Sequence, residues 1–544
     1  MEAAGSRGRK VNKTALIIAA LHFVVTFFTD RLIFCYAWFD FSTAKETLRS
    51  VETVAVKLVF FVLLIVLWQV VFWAAKHADR FFLKVAGGYM LVMSVLLLLT
   101  WPGIWRMDEF GLLSSSVQLF PHFWQNYITS VFYVLSMMLL PFPAGVIIVQ
   151  CACISLIVAR LITLCIQEKS IGAGKRMWLL LLLPFLMFPV LDSNLYPIRM
   201  SLYAFLEVLL IAELFFLSKR IKKETMSGKS WKSGYWIYIS ALAVLVTLWR
   251  TEAIYYLVAY PVLLLVIGKG RRYAGQIILY LIAFVILFAP QKIGERMSSG
   301  QQYELTSVVL PLVPLVEAAH ENADEKDREL LENIDQVINV EVTLQGAAQG
   351  KSGINLFWGE PQFQRAYTED DFREFKAAYY QLIMKYPRVF LQERLQTFLD
   401  SSDLLENTTE LFTKENVPNY EAFRTYPLAK PLNNEIRTGV IKKLELRTKE
   451  DYDKKLAITD FVYSAIPAIG LLVIASVFLL IKRKWTMLLL LLTVAAKVPL
   501  VFLTAPSRLF MYYYSVYLFG YCVLFYIIYH FCITKTEKDC RPAG

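Results

Sequence analysis

Histidine and cysteine are scarce in this chain of 544 residues, which has five of the first and seven of the second. The cysteines lie within apolar runs or at their edges, at positions 35, 151, 153, 165, 522, 532 and 540. None lies in the polar stretch 291–457, which excludes a disulfide framework there and any zinc-binding cysteine spacing. A P-loop, a dinucleotide-binding glycine fingerprint, a His-Glu-x-x-His sequence and a Ser-His-Asp motif are also missing. The sequence therefore contains no motif that would support catalysis by a nucleotide-binding domain.

Charged residues are also few, at 19% of the chain, whereas hydrophobic residues make up 57% and aromatic residues 15%. A water-soluble protein of this length would not expose that much apolar surface. The composition therefore predicts an α-helical polytopic membrane protein.

The positive net charge of +11 is unevenly distributed along the chain. Residues 291–457 hold 28 acidic and 21 basic residues, while the remainder holds 17 acidic and 35 basic residues. Most of the excess basic residues lie in short loops between apolar runs, as expected for cytoplasmic loops of a membrane protein. The pattern is a topology signal and argues against nucleic acid as a partner.

About twelve transmembrane helices are predicted, because each span needs about 20 mostly apolar residues. They lie near 14–34, 54–75, 82–101, 145–166, 177–191, 198–218, 235–250, 253–268, 273–290, 458–481, 485–503 and 508–534. The basic loops share one side only if Tyr127–Leu140 does not cross, so this segment is predicted to be an interfacial or re-entrant helix. Both termini are then cytoplasmic and 291–457 is extracytoplasmic, in a multi-pass protein of the cell membrane.

These spans divide the chain into three predicted parts. Residues 1–290 form an N-terminal transmembrane region whose outer loop, 101–144, is the candidate catalytic loop. Residues 291–457 form a mainly helical extracytoplasmic domain, and 458–544 form a C-terminal transmembrane region.

Local signals within the extracytoplasmic domain are mostly helical. A capping box at Thr368–Asp371 predicts a helix that continues through Lys385, and Pro387 begins a second helix that ends near Asp403. The charged segment Glu317–Asn333 is also predicted to be helical. Weak β signals occur at Val337–Leu344.

Two carboxylates follow the third predicted span, where Trp101-Pro102-Gly103 ends the helix and Asp108-Glu109 begins the outer loop. A carboxylate at a membrane surface can act as a general base toward an acceptor hydroxyl, or hold a divalent metal beside phosphates. It can equally be a solvated loop residue. No cofactor is otherwise indicated, and a divalent metal stays an open alternative.

Cations on the same predicted side suit a lipid-linked phosphate. Arg250 and Glu252 lie in a very short turn between two spans, where Arg250 could bind a phosphate. Alternatively, the two residues form an Arg–Glu pair that closes a helical hairpin. Arg508 opens the last span, and Lys497 lies about two turns inside the outer boundary. These three cations are candidates for binding a donor phosphate.

Further outer-face residues are candidates for substrate binding: His122, Arg199, Glu252, Tyr512 and Tyr513. Charges deep in a span usually have a partner or a function, and Glu207 is predicted to lie near the membrane midplane. A transporter hypothesis would depend on Glu207.

The arrangement of Asp108, His122 and the non-crossing helix resembles the glycosyltransferase-C superfamily, nearest to a bacterial subset with uncharacterised substrates. Arg250-Thr251-Glu252 and Ala505-Pro506-Ser507-Arg508, followed by tyrosines, resemble its late outer loop and last span. Two points differ: two spans precede the usual first one, and Phe-Trp-Gln follows His122 where better-known members have Pro-Pro-Leu.

The resemblance implies an integral membrane glycosyltransferase of the cell envelope that takes a sugar from a polyprenyl-phosphate donor. The acceptor would be a glycan, a lipid or a protein. Asp108 would be the catalytic base with Glu109 beside it, and Arg250, Arg508 and Lys497 would neutralise the donor phosphate. The alternatives are a transporter or flippase of lipid-linked glycans, and a non-catalytic envelope-polymer assembly protein.

Overall fold

The structure is a computed structural model. All regular elements of the residues it describes are helices. The described residues are 12–29, 33–34, 42–105, 107–118, 126–167, 177–224, 233–268, 273–297, 301–403, 423–444 and 461–539. Within these ranges, strand-like pairing is limited to two isolated bridges, Ile338–Gln364 and Asp403–Ser464.

The first group of helices belongs to the membrane region. These are α1 (Lys13–Thr29), α2 (Ala44–His77), α3 (Arg80–Leu99), α4 (Met107–Ser116), α5 (Tyr127–Leu139), α6 (Ala144–Gln167), α7 (Leu183–Leu186), α8 (Phe188–Asn194), α9 (Arg199–Glu224), α10 (Ser233–Trp249), α11 (Tyr256–Gly268) and α12 (Ala274–Met297). Short 3₁₀ helices at Met177–Leu182 and Thr251–Tyr255 precede α7 and α11.

The helices after residue 300 form an inserted domain and then return to the membrane region. The inserted domain, defined here as residues 301–403, contains α13 (Gln301–Thr306), α14 (Val309–Asn322), α15 (Glu325–Asp335), α16 (Val340–Ala348), α17 (Gly353–Gly359), α18 (Glu369–Lys385) and α19 (Pro387–Ser402). It is followed by α20 (Asn434–Leu444), α21 (Ile466–Ile481), α22 (Trp485–Ala495), α23 (Lys497–Thr504), a 3₁₀ turn at Phe510–Tyr512 and α24 (Tyr514–Asp539).

Eight helices among the described residues are long and apolar enough to cross a membrane, and the protein is a helical polytopic membrane protein. They are Ala44–His77, Arg80–Leu99, Ala144–Gln167, Arg199–Ile221, Thr251–Gly268, Ala274–Glu295, Trp485–Thr504 and Tyr514–Thr534. The pair Met177–Leu186 and Phe188–Asn194, bent by 61°, makes nine if it counts as one span. The apolar helices α1, α5, α10 and α21 are shorter.

Several predicted spans differ from the helices observed. The span predicted at 54–75 is part of the 34-residue α2, which is about 51 Å long and exceeds the roughly 30 Å hydrocarbon core. The span predicted at 177–191 is broken at Met187, because Pro184 and Pro189 each begin a new helix. The last span begins at Tyr514 rather than at 508.

Helix α9 is the centre of the membrane region. In its apolar window 83% of the residues are buried, against 17% in α2 and 22% in α12. It packs against α6, α10 and α24, so Glu207 and Glu213, the carboxylates in its apolar part, are fully buried. Peripheral helices can expose apolar side chains because lipid contacts them.

Helix α5 has contacts at both ends with the ends of other membrane helices. The backbone N–H of Tyr127 donates to Gln291 Oε1 (2.8 Å) near the end of α12. Just after α5, the Phe142 ring lies 5.9 Å from the Trp101 ring, which follows α3. The start of α5 therefore lies near the end of α12, and the residues just after α5 lie near the end of α3.

The inserted domain has its own apolar core, built by α14, α15, α17 and α18 around residues such as Leu312, Leu315, Phe375 and Leu382. The capping box predicted at Thr368–Asp371 is confirmed: the Thr368 side chain accepts from Asp371 N, and the Asp371 side chain accepts from Thr368 N. The following helix ends at Lys385, as predicted, and α19 begins at Pro387.

The segment Glu317–Asn333 is helical, as predicted, but it is divided between two helices, because Ala323 adopts a left-handed conformation (φ 50°) and Asp324 caps a new helix. The weak β signals of the next segment are wrong. Val337–Leu344 is mainly helical, because the Asn339 side chain accepts from Val342 N and caps α16.

Helix α19 joins the inserted domain to the membrane region. Phe390 packs into the domain core, whereas the Phe398 ring lies 5.4 Å from Tyr513. Arg394, which is fully buried, donates from Nη1 to Ala505 O (3.1 Å) and so caps the end of α23. The end of the membrane region that α19 contacts is called the domain face below, and the other end is the opposite face.

Candidate active site

The loop that carries Asp108 has a fixed path at the domain face. Trp101 and Pro102 are joined by a cis peptide bond, and Gly103 has a φ of +96°. A side chain at Gly103 would place its Cβ 2.0 Å from Ile147 Cδ1, so only glycine fits there. The backbone N–H of Ile104 then donates to Leu195 O (3.0 Å).

The segment after the inserted domain covers this loop. Arg437 of α20 donates to Thr100 O (3.2 Å) and to Gly103 O (3.0 Å). The Phe423 ring packs on Trp105 and Phe110 at 5.1 Å in each case. Residues distant in the chain therefore fix the turn that leads into α4.

Asp108 and Glu109 have different environments in the first turn of α4. Asp108 is half-buried, while Glu109 is 2% exposed. Loss of hydration on burial raises the pKa of Asp108 above its ordinary value, and the positive charge of Arg199 works in the opposite direction. Of the two predicted catalytic carboxylates, Asp108 has the access that a general base needs.

Arg250 and Glu252 form the ion pair that was one of the two predicted alternatives. Arg250 Nε donates to Glu252 Oε2 (3.0 Å), Nη2 contacts Oε1 and Nη1 donates to Met511 O (3.4 Å). The Arg250 side chain is 1% exposed, and its guanidinium lies 5.7 Å from the centre of the Tyr512 ring. The pair closes the turn and also lies against the loop before the last span.

Arg199 connects this pair with Asp108. It is the first residue of α9 and is 8% exposed, and its carbonyl accepts from Trp249 Nε1 (3.0 Å). Its charge acts on both Asp108 and Glu252. Arg199, one of the predicted substrate-binding residues, is therefore within electrostatic range of both the predicted base and the Arg250–Glu252 pair.

Lys497 and Glu207 form a second, deeper pair. Lys497 Nζ lies 3.8 Å from Glu207 Oε2, donates to Ser515 Oγ (2.9 Å) and lies 4.0 Å from the centre of the Tyr203 ring. Glu207 Oε1 accepts three tyrosine hydroxyls, from Tyr203 (2.8 Å), Tyr256 (2.9 Å) and Tyr255 (3.2 Å). Lys497 also acts electrostatically on Glu252, so the two pairs are neighbours.

Glu207 is the residue for which sequence reasoning found no partner. The sequence did contain one signal for this pair: Glu207 and Lys497 are opposite charges in separate apolar runs, and charges within spans usually pair. Nothing in the local sequence indicated that positions 207 and 497 would meet.

Arg508 is paired with carboxylates of the inserted domain. Its Nη2 lies 2.9 Å from Glu393 Oε1, and its Nη1 lies 3.0 Å from Asp400 Oδ2, both on α19. Tyr513 is also turned to α19, through Phe398, whereas Tyr512 contacts Ser507 Oγ (3.1 Å). Of Arg508, Tyr512 and Tyr513, it is Tyr512 that lies beside Arg250. His122 lies outside the described residues.

Asp108 and Glu109 are poorly arranged to bind a divalent metal together. Adjacent helical residues project about 100° apart, so Asp108 and Glu109 do not converge as a pair. Within the described ranges no group of three or more His, Cys, Asp or Glu side chains could hold a metal ion.

The arrangement has the parts of an electrostatically assisted acid–base site. A half-buried carboxylate can take a proton, and buried guanidinium groups can stabilise negative charge that develops on a phosphate. Comparison with known protein-family models, curated proteins and solved structures found no match to the chain.

Proposed function

We propose that the protein is a membrane glycosyltransferase that transfers a sugar from a polyprenyl-phosphate donor to an acceptor at the domain face. The observation that carries this proposal is the position of the start of α9: Trp249, next to Arg250, donates to Arg199 O (3.0 Å), and Ile104 of the Asp108 loop donates to Leu195 O (3.0 Å). The charge of Arg199 also acts on both Asp108 and Glu252. A base and phosphate-suited cations are thereby brought together from three separate loops.

In the proposed reaction, the acceptor hydroxyl attacks the anomeric carbon of the donor sugar. Asp108 takes the hydroxyl proton, a new C–O bond forms, and the bond between the anomeric carbon and the phosphate oxygen breaks. Polyprenyl phosphate leaves with its added negative charge facing Arg199, beside the Arg250–Glu252 pair. Arg508 has no part in this step, because Glu393 and Asp400 hold it against α19.

The proposed topology has twelve spans, with α1, α10, α21 and the bent pair crossing in addition to the eight long helices. Both termini are cytoplasmic and the inserted domain is extracytoplasmic, at the cell membrane. The support is the predicted one-sided distribution of basic loops, together with the two contacts that place the start of α5 near the end of α12 and the residues just after α5 near the end of α3.

The test is sugar transfer by the purified protein in lipid nanodiscs, with a panel of defined polyprenyl-phosphate sugars. We expect Asp108→Asn to lower the rate by about 10²- to 10⁴-fold while the unfolding temperature stays unchanged. Asp335→Asn, on the surface of the inserted domain, is the matched control and should retain the wild-type rate. Full activity of Asp108→Asn would refute the assigned base.

A transporter of lipid-linked glycans is the second candidate, and the Glu207–Lys497 pair favours it. Ionisable groups buried between membrane helices commonly lie on transport pathways. Proteoliposome flux of a lipid-linked glycan would decide between the two: a flux that Glu207→Gln removes and Asp108→Asn leaves intact supports transport, while absence of flux leaves transfer as the function.

A further inference from the structure

A large apolar cavity lies in the half of the membrane region away from the candidate active site. Its volume is about 560 Å³, and it is lined by α6, α7, α9, α21, α22 and α24. Its wall consists almost entirely of hydrocarbon side chains such as Leu161, Ile211, Phe215, Leu490 and Phe519. An apolar cavity of this kind does not hold ordered water.

The direction of the lining helices places the cavity toward the opposite face. Helix α9 begins beside the candidate site at Arg199, and its residues 208–216 line the cavity. Helix α6 begins at Ala144, near the candidate site, and ends at Gln167. Its lining residues are 161–165, close to that end. The cavity therefore extends from about mid-membrane toward the opposite face.

The cavity opens sideways onto the surface that lipid covers. Three of its lining side chains are also exposed on the outside of the helix bundle: Ile474 (69%), Phe478 (58%) and Ile527 (49%). A hydrocarbon chain in the bilayer can therefore reach the cavity along the exposed side chains of α21 and α24 without crossing polar surface.

Two cations lie at the rim of the cavity, at the end nearer the opposite face. Lys219 Nζ is 3.2 Å from the hydroxyl of Tyr526 and 4.2 Å from the centre of the Phe215 ring. Lys482 Nζ is 5.8 Å from the centre of the Phe478 ring. The rings of Tyr526, Phe215 and Phe478 all line the cavity, so both positive charges adjoin its mouth.

We propose that this cavity binds one acyl chain of an anionic phospholipid from the leaflet at the opposite face, with the phosphate between Lys219 and Lys482. A free phosphate could use the two cations but would leave the apolar cavity unfilled. An uncharged lipid could fill the cavity but would not use the cations. The site is separate from the proposed donor site, and the inference does not depend on the proposed function.

The experiment measures phospholipid retained by the full-length protein after purification in mild detergent, with the bound lipid identified by mass. The wild type should keep about one anionic phospholipid per chain. Ala475→Phe fills the cavity and should lower retention at least about tenfold, whereas Ala283→Phe, on a part of α12 outside the cavity, should not. Ala212→Leu, also in the cavity wall, serves if Ala475→Phe fails to fold.

The charge requirement is tested by exchanging the bound lipid in nanodiscs of phosphatidylcholine with or without phosphatidylglycerol. Lys219→Gln should weaken retention of phosphatidylglycerol about fivefold, and Lys84→Gln, at the same face but outside the cavity, should not. Equal retention by Ala475→Phe and Ala283→Phe would overturn the proposal. The proposal would also be overturned if the wild-type protein retained no lipid, retained an uncharged lipid in place of the anionic one, or retained a polyprenyl phosphate that Ala475→Phe removes.

Discussion

Among the candidate residues, Asp108 differs from the predicted phosphate-binding cations in how its charge is balanced. Arg250, Lys497 and Arg508 each lie within 4 Å of a carboxylate, on Glu252, Glu207 and Glu393 respectively. Asp108 is subject to burial, which raises its pKa, and to the charge of Arg199, which lowers it. Its ionisation is therefore sensitive to a single neighbouring charge, which makes Arg199 the residue to change.

We expect Arg199→Gln to move the acidic limb of the transfer rate to higher pH. The proposed base works as a carboxylate, so activity is lost as pH falls through the pKa of Asp108, and removal of a nearby positive charge raises that pKa further. Rates measured from pH 4 to 9 in nanodiscs check this, with Arg365→Gln on the inserted domain as the control. An unshifted limb would show that Arg199 does not act on the base.

The helices of the inserted domain are held together by a buried carboxylate on α15. Asp327 is fully buried, and it accepts from Lys385 Nζ (2.7 Å), Asn322 Nδ2 (2.7 Å) and Tyr386 Oη (2.8 Å). Burial alone would raise the pKa of Asp327, but these hydrogen bonds outweigh it and lower the pKa. The stabilisation is therefore fully present above about pH 4 and is lost as pH falls below it.

Asp327→Asn should destabilise the inserted domain by about 2–3 kcal/mol at pH 7, because charged hydrogen bonds are lost in a buried site. Hydrogen exchange of the full-length protein should show faster exchange in α15 and α18, with the membrane helices unchanged. Asp335→Asn breaks an exposed pair with Arg365 (2.9 Å) and should cost less than about 1 kcal/mol. Equal exchange in the two variants would contradict the assigned role of Asp327.

Long-range polar and aromatic contacts join the inserted domain and the segment after it to the membrane region. Arg394 and Arg508 connect α19 with the segment before the last span. Arg437 and Phe423, which follow the inserted domain in the chain, hold the loop that leads to Asp108. The inserted domain and the candidate site therefore share one face of the membrane region.

The proposed topology predicts opposite labelling of the two faces by a membrane-impermeant maleimide. In a chain whose seven native cysteines are replaced, Gln349→Cys in the inserted domain should react in intact cells. Lys482→Cys, in the turn between α21 and α22, should react only after the membrane is permeabilised. Labelling of Lys482→Cys in intact cells would refute the proposed orientation.

Features that depend on neighbouring residues could be predicted from the sequence. The membrane class follows from apolar runs, and the capping box at Thr368–Asp371 from hydrogen bonds that join residues three apart. The same reasoning missed the effect of single residues: Ala323, whose left-handed conformation divides the helical segment Glu317–Asn333, and Asn339, whose side chain begins a helix where weak β signals occur. A pattern averaged over many residues does not register a single cap.

Tertiary structure alone decided which charges meet. Hydropathy marked Glu207, Lys497 and Arg508 as unusual residues, but their partners lie between about 100 and 300 positions away in the chain. Packing of α9 against the last helices brings Glu207 to Lys497, and docking of α19 pairs Arg508 with Glu393. Because a charge in an apolar environment is stabilised by whichever opposite charge packing brings near, its partner cannot be inferred from local sequence.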